Sequence, residues 1–542
     1  MNLPSTGAVP ASQAAARFTK LRASGHGPTV EHGAVGQRSA HQPATRVTVA
    51  QPRIPLRGRL LLLGCGSVSR CLQPLLLRHL DMDLAKLTVL DFDDRATPDA
   101  DLMEAGASFV RHRITPENLD ATLRGRLGPG DLLVNLTWDI DTGDLIQWCQ
   151  DHGVLYVDTS VELWDNTFAD HAATDPTDRT LYVRHMDLRR RAATWAHRGP
   201  TAVVEHGANP GLVSHWTKVA LTDIATAMLV EPDRLPAPLD PARRARLVAA
   251  LAEADFARLA METRTKVIHI SERDTQISDR PKEVGEFVNT WSIAGFFEEG
   301  TATAELGWGT HERRLPPGAH AHADGPRNQI CLARPGMDTY VRSWVPLGGQ
   351  IDGMVIRHGE AFTISDHLTV WDGDRPRYRP TVHYAYLPTD AAMASLHECR
   401  MTGYRLQDRQ RIMDDDIVSG ADELGVLLLG HDLGGWWTGS QLDIKEAREL
   451  VPHQNATTLQ VAASVLGAIA WMLNNPDRGF CVPDDLDHAE VLDVAGPYLG
   501  PCPSMPTSWT PLAQRGYPFE QVNGTRPADD DVWQFTSFLV GQ

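Results

Sequence analysis

Cysteine is scarce and unpatterned in this 542-residue chain: there are seven, none in a Cys-x-x-Cys pair, and an odd number cannot all pair within one molecule. A disulfide framework is thereby excluded, and a reducing, cytoplasmic setting is the expectation. Positive charge is also short. Lys and Arg total 51 against 69 Asp and Glu, a formal net charge of −18, so a nucleic-acid backbone would be repelled rather than held. The same field attracts small cations wherever it focuses into a cleft. Long hydrophobic runs are missing too. The greasiest segment, Leu459 to Leu473, is shorter than the ~18 to 20 residues that cross a bilayer, so it reads as a buried helix and no membrane span is expected. No repeat of fixed period is found.

The first fifty or so residues are rich in Ala, Ser, Gly, Pro, His and Arg, with Glu31 their only acid and no apolar run of the signal-peptide kind. Residues 1–56 are expected to form a disordered extension; an organelle transit peptide is the alternative.

From Arg59 short apolar runs alternate with longer mixed segments. "RLLLLG" reads as a buried strand, Ser67 to Leu80 as a helix bent at Pro74, and Lys86 to Asp91, Asp131 to Thr137 and Gly153 to Ser160 as further strands. Continuous apolar strands between helices indicate a parallel sheet covered on both faces. Thr201 to Gly211 adds a strand ending in a tight loop, followed by a helix, and a charged helical stretch runs from about Pro238 to Glu262. From Lys266 to about Tyr386 the segments become short, β-rich and punctuated by glycine, as in a second, α+β domain. From Pro483 onward a Pro-rich end is expected to wrap the surface.

The segment Gly64-Cys65-Gly66-Ser67-Val68-Ser69 nearly spells G-x-G-x-x-G, with Ser69 in place of the third glycine. In a dinucleotide site the first glycine permits a tight turn, the second lets backbone approach the pyrophosphate, and the third allows close helix packing. Asp91 ends the next predicted strand, somewhat beyond the usual spacing of about 20 residues, and a carboxylate there favours NAD over NADP. A purely structural glycine turn is the alternative reading. His311-Glu312 is half of H-E-x-x-H, but Leu315 holds the second ligand position, and His320 and His322 read as a polar loop. No metal is expected.

Beyond the fingerprint, "HGANPGLVSHWTKVAL" (from His206), "IHISERDTQ" (Ile268), "VNTWSIAGF" (Val288), "AELGWGTHER" (Ala304), "YRPTVHYAY" (Tyr378) and "DELGVLLLGH" (Asp422) together resemble bacterial homospermidine synthases. The resemblance runs from about Gly58 to the C-terminus. It implies a saccharopine-dehydrogenase-like α/β architecture: an N-terminal Rossmann NAD-binding domain at 57–212, an α+β substrate-binding and dimerisation domain at 213–450, and a C-terminal helix and wrapping tail at 451–542 that could pack back on the first. It also implies a homodimer and an aminobutyl transfer with prosthetic NAD, in which two putrescines, or putrescine and spermidine, give the longer polyamine and ammonia through imines and an internal hydride return. Ser69 and Cys71 stand where the family often has glycine, and Ala294 where relatives can carry an acid.

Carried over by motif, the substrate carboxylates fall on Glu162, Glu272 and Glu299, with Asn209 and Asp139 as polar neighbours. The aromatic platform falls on Trp291 and the His/Glu pair on His358 and Glu360. Cofactor contacts fall on Gly64, Gly66, Ser67, Val68, Asp91, Asn135, Thr137, Asp158, Thr159, Asn209 and Pro210. The chemistry suits these residue types. An amine carbon gives up hydride only after its ammonium loses a proton, so a base is needed, and His358 with Glu360 setting its tautomer is the candidate; on a strand the two would share a face. Carboxylates hold the distal ammonium, and Trp291 offers a cation–π face. Two alternatives stay open: an NAD(P)H-dependent reductase of the saccharopine or carboxyspermidine type, which would need positive groups for substrate carboxylates where this cleft is expected to be acidic, and a non-catalytic polyamine-binding protein.

Overall fold

The computed structural model describes residues 53–164, 175–513, 515–516 and 526–541. Its first sheet has seven strands, all parallel, in the order Phe480–Cys481, Ala202–Val203, Leu155–Asp158, Leu132–Asn135, Leu60–Leu63, Leu87–Asp91, Ser108–Arg111. Strands Leu60–Leu63, Leu132–Asn135 and Leu155–Asp158 are buried along their whole length, which is what a sheet covered on both faces requires. The strand order reverses at Leu60–Leu63, whose neighbours lead away in opposite directions. At such a switch point the loops leaving adjacent strands part and open a crevice at the carboxyl ends. Because the strands are parallel, every loop named by the sequence reading leaves from this one rim: Gly64–Gly66, Asp91, Asn135–Thr137, Asp158–Glu162 and Glu205–Gly211.

The second sheet has ten strands. At its centre Val267–Asp274 runs parallel to Thr381–Leu387 and antiparallel to Ala421–His431. The two sheets are tied together by the end of the chain. Helix Ala456–Asn474 packs on the glycine-loop helix Ser67–His79, sharing one apolar core in which Leu72 and Leu75 meet Leu459 and Leu466. Strand Phe480–Cys481 then adds to the edge of the first sheet.

Three expectations are corrected. The folded body begins before residue 57: Ile54–Pro55 pairs with Leu80–Asp81 and Leu56 is buried, while residues 1–52 of the predicted extension lie outside the described residues. The late apolar helix has 19 residues rather than 15, long enough by composition to cross a bilayer, but 89% of its apolar window is buried inside the protein. The tail beyond Pro483 is more than a wrapper: helix His488–Ala495 buries Val491 and Ala495, Ser504–Thr507 extends the second sheet, and Phe535 and Phe538 are fully buried. His311 and Glu312, the half zinc motif, bind Trp533 O and the Phe535 amide and so pin that segment.

Ser69 is built into the fold. Its hydroxyl accepts a hydrogen bond from Gln73 Nε2 (3.2 Å), and Gln73 Oε1 accepts from the Asp99 amide (2.7 Å). Exchange to glycine removes one buried hydrogen bond and loosens the helix backbone. Ser69→Gly is therefore expected to lower stability by about 1–2 kcal/mol in denaturant unfolding without raising retention of a bound dinucleotide; higher retention would show that the serine hinders the cofactor.

Candidate active site

At the switch point, Gly64 has φ 90°, and a Cβ there would stand 2.6 Å from Leu136 O, so only glycine fits. Gly66 has no atom within 4 Å of where its Cβ would be. It caps helix Ser67–His79 without any side-chain hydrogen bond to the first-turn amides, and no acid lies in that turn. Open space over helix amides suits a pyrophosphate. Asp91 ends its strand, accepting from the Cys65 amide (2.6 Å) and the Asp93 amide (2.8 Å). These features fit a dinucleotide.

Two of the expected cofactor residues, Asn135 and Asp158, are buried and hydrogen-bonded at the strand ends of this rim. Asn135 bonds Thr137 and the Tyr156 hydroxyl. Asp158, 1% exposed, accepts from the Glu205 amide (2.6 Å) and the Tyr156 hydroxyl (2.7 Å), and burial holds its carboxyl well above the usual range. Both act as supports for the loops above them. Asp139 is half-buried with φ 74°, next to Trp138 of the cleft mouth.

The cleft beside the rim is lined by residues from both sheets, and it gathers Val68, Thr137, Thr159, Glu162, Asn209, Pro210, Glu272, Trp291, Glu299 and His358. Asn209 is carried there by a loop that doubles back on itself: the Gly207 amide donates to Pro210 O, and a Cβ on Gly211, at φ 129°, would overlap Gly207 O. Its side chain donates to Glu272 Oε2 (3.2 Å), which also accepts from the Tyr384 hydroxyl. Trp291 approaches Tyr386 OH (3.5 Å) and packs on Phe296, while Tyr386 stacks on Tyr384 and Tyr384 leans on the His358 ring at 4.5 Å. The result is a continuous aromatic wall ending at an imidazole.

His358 lies between two carboxylates, with Nδ1 at 3.1 Å from Glu360 Oε1 and Nε2 at 3.1 Å from Glu299 Oε2. His358 and Glu360 meet at the start of helix Glu360–His367 rather than along a strand. Although burial opposes its charge, the two glutamates hold the imidazole well above its usual range, which favours its protonated form. Burial pushes Glu272 up to about 8 and, together with Glu298, Glu162 up to about 7.

Sequence reasoning missed four residues of the wall. Glu205 lines the cleft and bonds His185 Nε2 (2.7 Å). Glu298 is gripped by Arg184 and Arg357, and all three line the cleft. The cleft expected to be acidic thus carries two guanidiniums beside its five glutamates. Glu298 and Arg357 stand next to Glu299 and His358 in sequence, a signal that was available; nothing local marks Arg184 or Glu205.

Residues 60–203 match the saccharopine dehydrogenase NADP binding domain and residues 207–503 the saccharopine dehydrogenase C-terminal domain. The homospermidine synthase of Mesorhizobium japonicum is 40% identical over 496 residues, covering 90% of this chain and 97% of the relative. That of Blastochloris viridis is 41% identical over 488 residues, covering 89% and 97%. The crystal structure of the homospermidine synthase hss from Legionella pneumophila in complex with NAD superposes with a TM-score of 0.78 at 36% identity, covering 90% of this chain and 99% of that one. On these grounds the chain belongs to the homospermidine synthase family of enzymes.

Proposed function

We propose that this cleft transfers an aminobutyl group between diamines, joining two putrescines, or putrescine and spermidine, with release of ammonia. The observation that carries the reading is the meeting of Glu272, Glu299 and His358 with Trp291 at the carboxyl rim of a dinucleotide-binding sheet. Bound NAD would supply a reversible hydride acceptor for the amine-bearing carbon, with no net redox change over the reaction. Gly66, the Ser67 and Val68 amides, Thr137, Thr159 and Pro210 would hold it, with Asp91 selecting a ribose that lacks a 2′-phosphate.

The chain's own residues hold and deprotonate the amines. Glu272 and Glu162 take the ammonium groups, and Trp291 supports the passing cation with its ring face. Entry of a diammonium beside Glu299 competes with His358 for the same carboxylate. The imidazolium, its carboxylate partner now shared, releases its Nε2 proton to solvent as the diamine binds, and the neutral His358 beside Glu299 is then the proton acceptor for the reacting amine and later the donor to departing ammonia. Glu360, buried behind the ring, keeps Nδ1 protonated. We further propose, on the family likeness, a homodimer, and a cytoplasmic location supported by seven free cysteines, six of them buried.

Incubation with putrescine and catalytic NAD+ is expected to yield homospermidine and ammonia without lasting change in the NADH absorbance band. A requirement for a keto acid and stoichiometric NADPH would instead favour a reductase, and putrescine binding without ammonia release a binding protein. Trp291→Ala is expected to lower kcat/KM about tenfold, the upper part of the cation–π range, and Glu299→Gln about 100-fold or more through loss of proton transfer.

The raised carboxyls set the pH dependence. Glu162 and Glu272, at about 7 and about 8, are partly protonated in the free cleft near neutrality and must be charged to hold a diammonium. Putrescine binding therefore expels protons, and its KM falls as pH rises from about 6 to about 9. Calorimetric titration in buffers of different ionisation enthalpy checks the sign; net proton uptake would contradict it.

A further inference from the structure

Two guanidinium groups are out of place in a cleft meant for ammonium groups. Arg184 Nη2 lies 2.8 Å and Arg357 Nη2 2.6 Å from the same atom, Glu298 Oε1. Glu298 and Arg357 are 3% and 4% exposed, and all three border the cleft with Glu162 and Glu299. Although burial alone would raise it, the arginines pull the Glu298 carboxyl down to about 2, so it stays charged.

Structural need alone does not explain the cluster. Buried ion pairs are often no more stabilising than apolar side chains of similar volume, and each guanidinium raises the cost of a neighbouring substrate cation. What two guanidiniums converging on one oxygen do well is bind a carboxylate. Helix Ile293–Thr301 supplies that carboxylate internally through Glu298, while its neighbour Glu299 faces His358. The segment of Arg357 and His358 mirrors the arrangement, so two adjacent acid–base pairs join the same two segments, one for proton transfer and one closed on itself.

We propose that Glu298 is a specificity residue. It fills a two-arginine carboxylate site in the cleft wall, and so the protein refuses amines that bear a carboxylate, of the 4-aminobutyrate kind, and accepts simple diamines. With the arginines occupied, an incoming carboxylate at this wall meets the carboxyl groups of Glu162, Glu298 and Glu299. Without Glu298 the same wall presents two guanidiniums that have lost their shared carboxylate, Arg184 keeping its bond to Val161 O, and a gap shaped for a carboxylate. This inference rests on the diamine reading for its substrate side, but the site itself can be tested apart from turnover.

The test uses the full-length protein with its cofactor and propionate as probe. By isothermal titration, Glu298→Ala is expected to bind propionate in the millimolar range, wild type to give no binding heat, and Glu298→Ala/Arg357→Met to lose the binding again. In assays, 4-aminobutyrate is expected to raise the apparent putrescine KM of the single variant and leave that of wild type unchanged, and acetate to restore part of the variant's lost turnover. The proposal is overturned if the variant, shown to be folded by its thermal transition and cofactor content, binds propionate no better than wild type, or if the double variant binds it equally well. Where the alanine variant does not fold, Glu298→Ser opens the same gap while keeping a small polar group there, and it carries the same titration with the same outcomes. A wild type that makes no homospermidine would reject the diamine reading alone, because the propionate titration needs no turnover.

Discussion

The cleft depends on charge balance in a space largely closed to water. Glu162, Glu205, Glu272, Glu298 and Glu299 all line it, and five carboxylates at close quarters cannot all ionise unless cations sit among them. The protein answers in two ways. Fixed cations, Arg184 and Arg357, neutralise Glu298 permanently. His358, charged only because Glu299 and Glu360 flank it, supplies a cation that can be displaced. Glu162 and Glu272 are left with raised affinity for protons, and that is the property of a group waiting for an ammonium. The site is thus partly protonated when empty and fully ionised when its own positive charges are supplemented by those of the ligand.

That balance requires residues from distant parts of the chain. The rim of the parallel sheet contributes Glu162 and Glu205, the second sheet Glu272 and Tyr384, and the segments before and within two helices Glu298, Glu299 and His358. What brings them together is the shared core formed when helix Ala456–Asn474 packs on helix Ser67–His79 and strand Phe480–Cys481 joins the first sheet. The glycine loop and the amine cleft are held in register by a segment more than 300 residues beyond the loop, so the two halves of the chain build one catalytic body.

Much of this was legible in the sequence because periodicity and local words are local properties. The buried strands, the glycine turn and the words around Glu272, Trp291, Glu299 and His358 could be read directly, and the cleft draws those four side chains together. Failures arose where the decisive partner is remote. Ser69 looked like a defect in a fingerprint, yet its partner Gln73 and the Asp99 amide make it part of the packing. Asn135 and Asp158 end strands at the same rim as the glycine loop, and their partners there, the Tyr156 hydroxyl and the Glu205 amide, carry no local mark either. Arg184 carries no local mark, since only the fold aims it at Glu298.

The short word "HGE" shows how far a remote contact can reach into local sequence. Read alone, it is a histidine and a glutamate separated by an incidental glycine. Gly359 has an ordinary φ of −66°, so no left-handed turn demands it. The demand is spatial, because a Cβ there would stand 1.7 Å from Glu205 Oε2. Glu205 is in turn fixed by His185 at one end and by Asp158 at its amide. The spacing of the His358–Glu360 pair is therefore set from below by a second buried His–Glu pair, His185 on helix Leu181–Ala193 and Glu205 in the loop after strand Ala202–Val203. Any side chain at 359 would push His358 and Glu360 away from the positions where they meet each other and where His358 meets Glu299. The glycine is the contact point at which the nucleotide half of the protein fixes the geometry of the amine half.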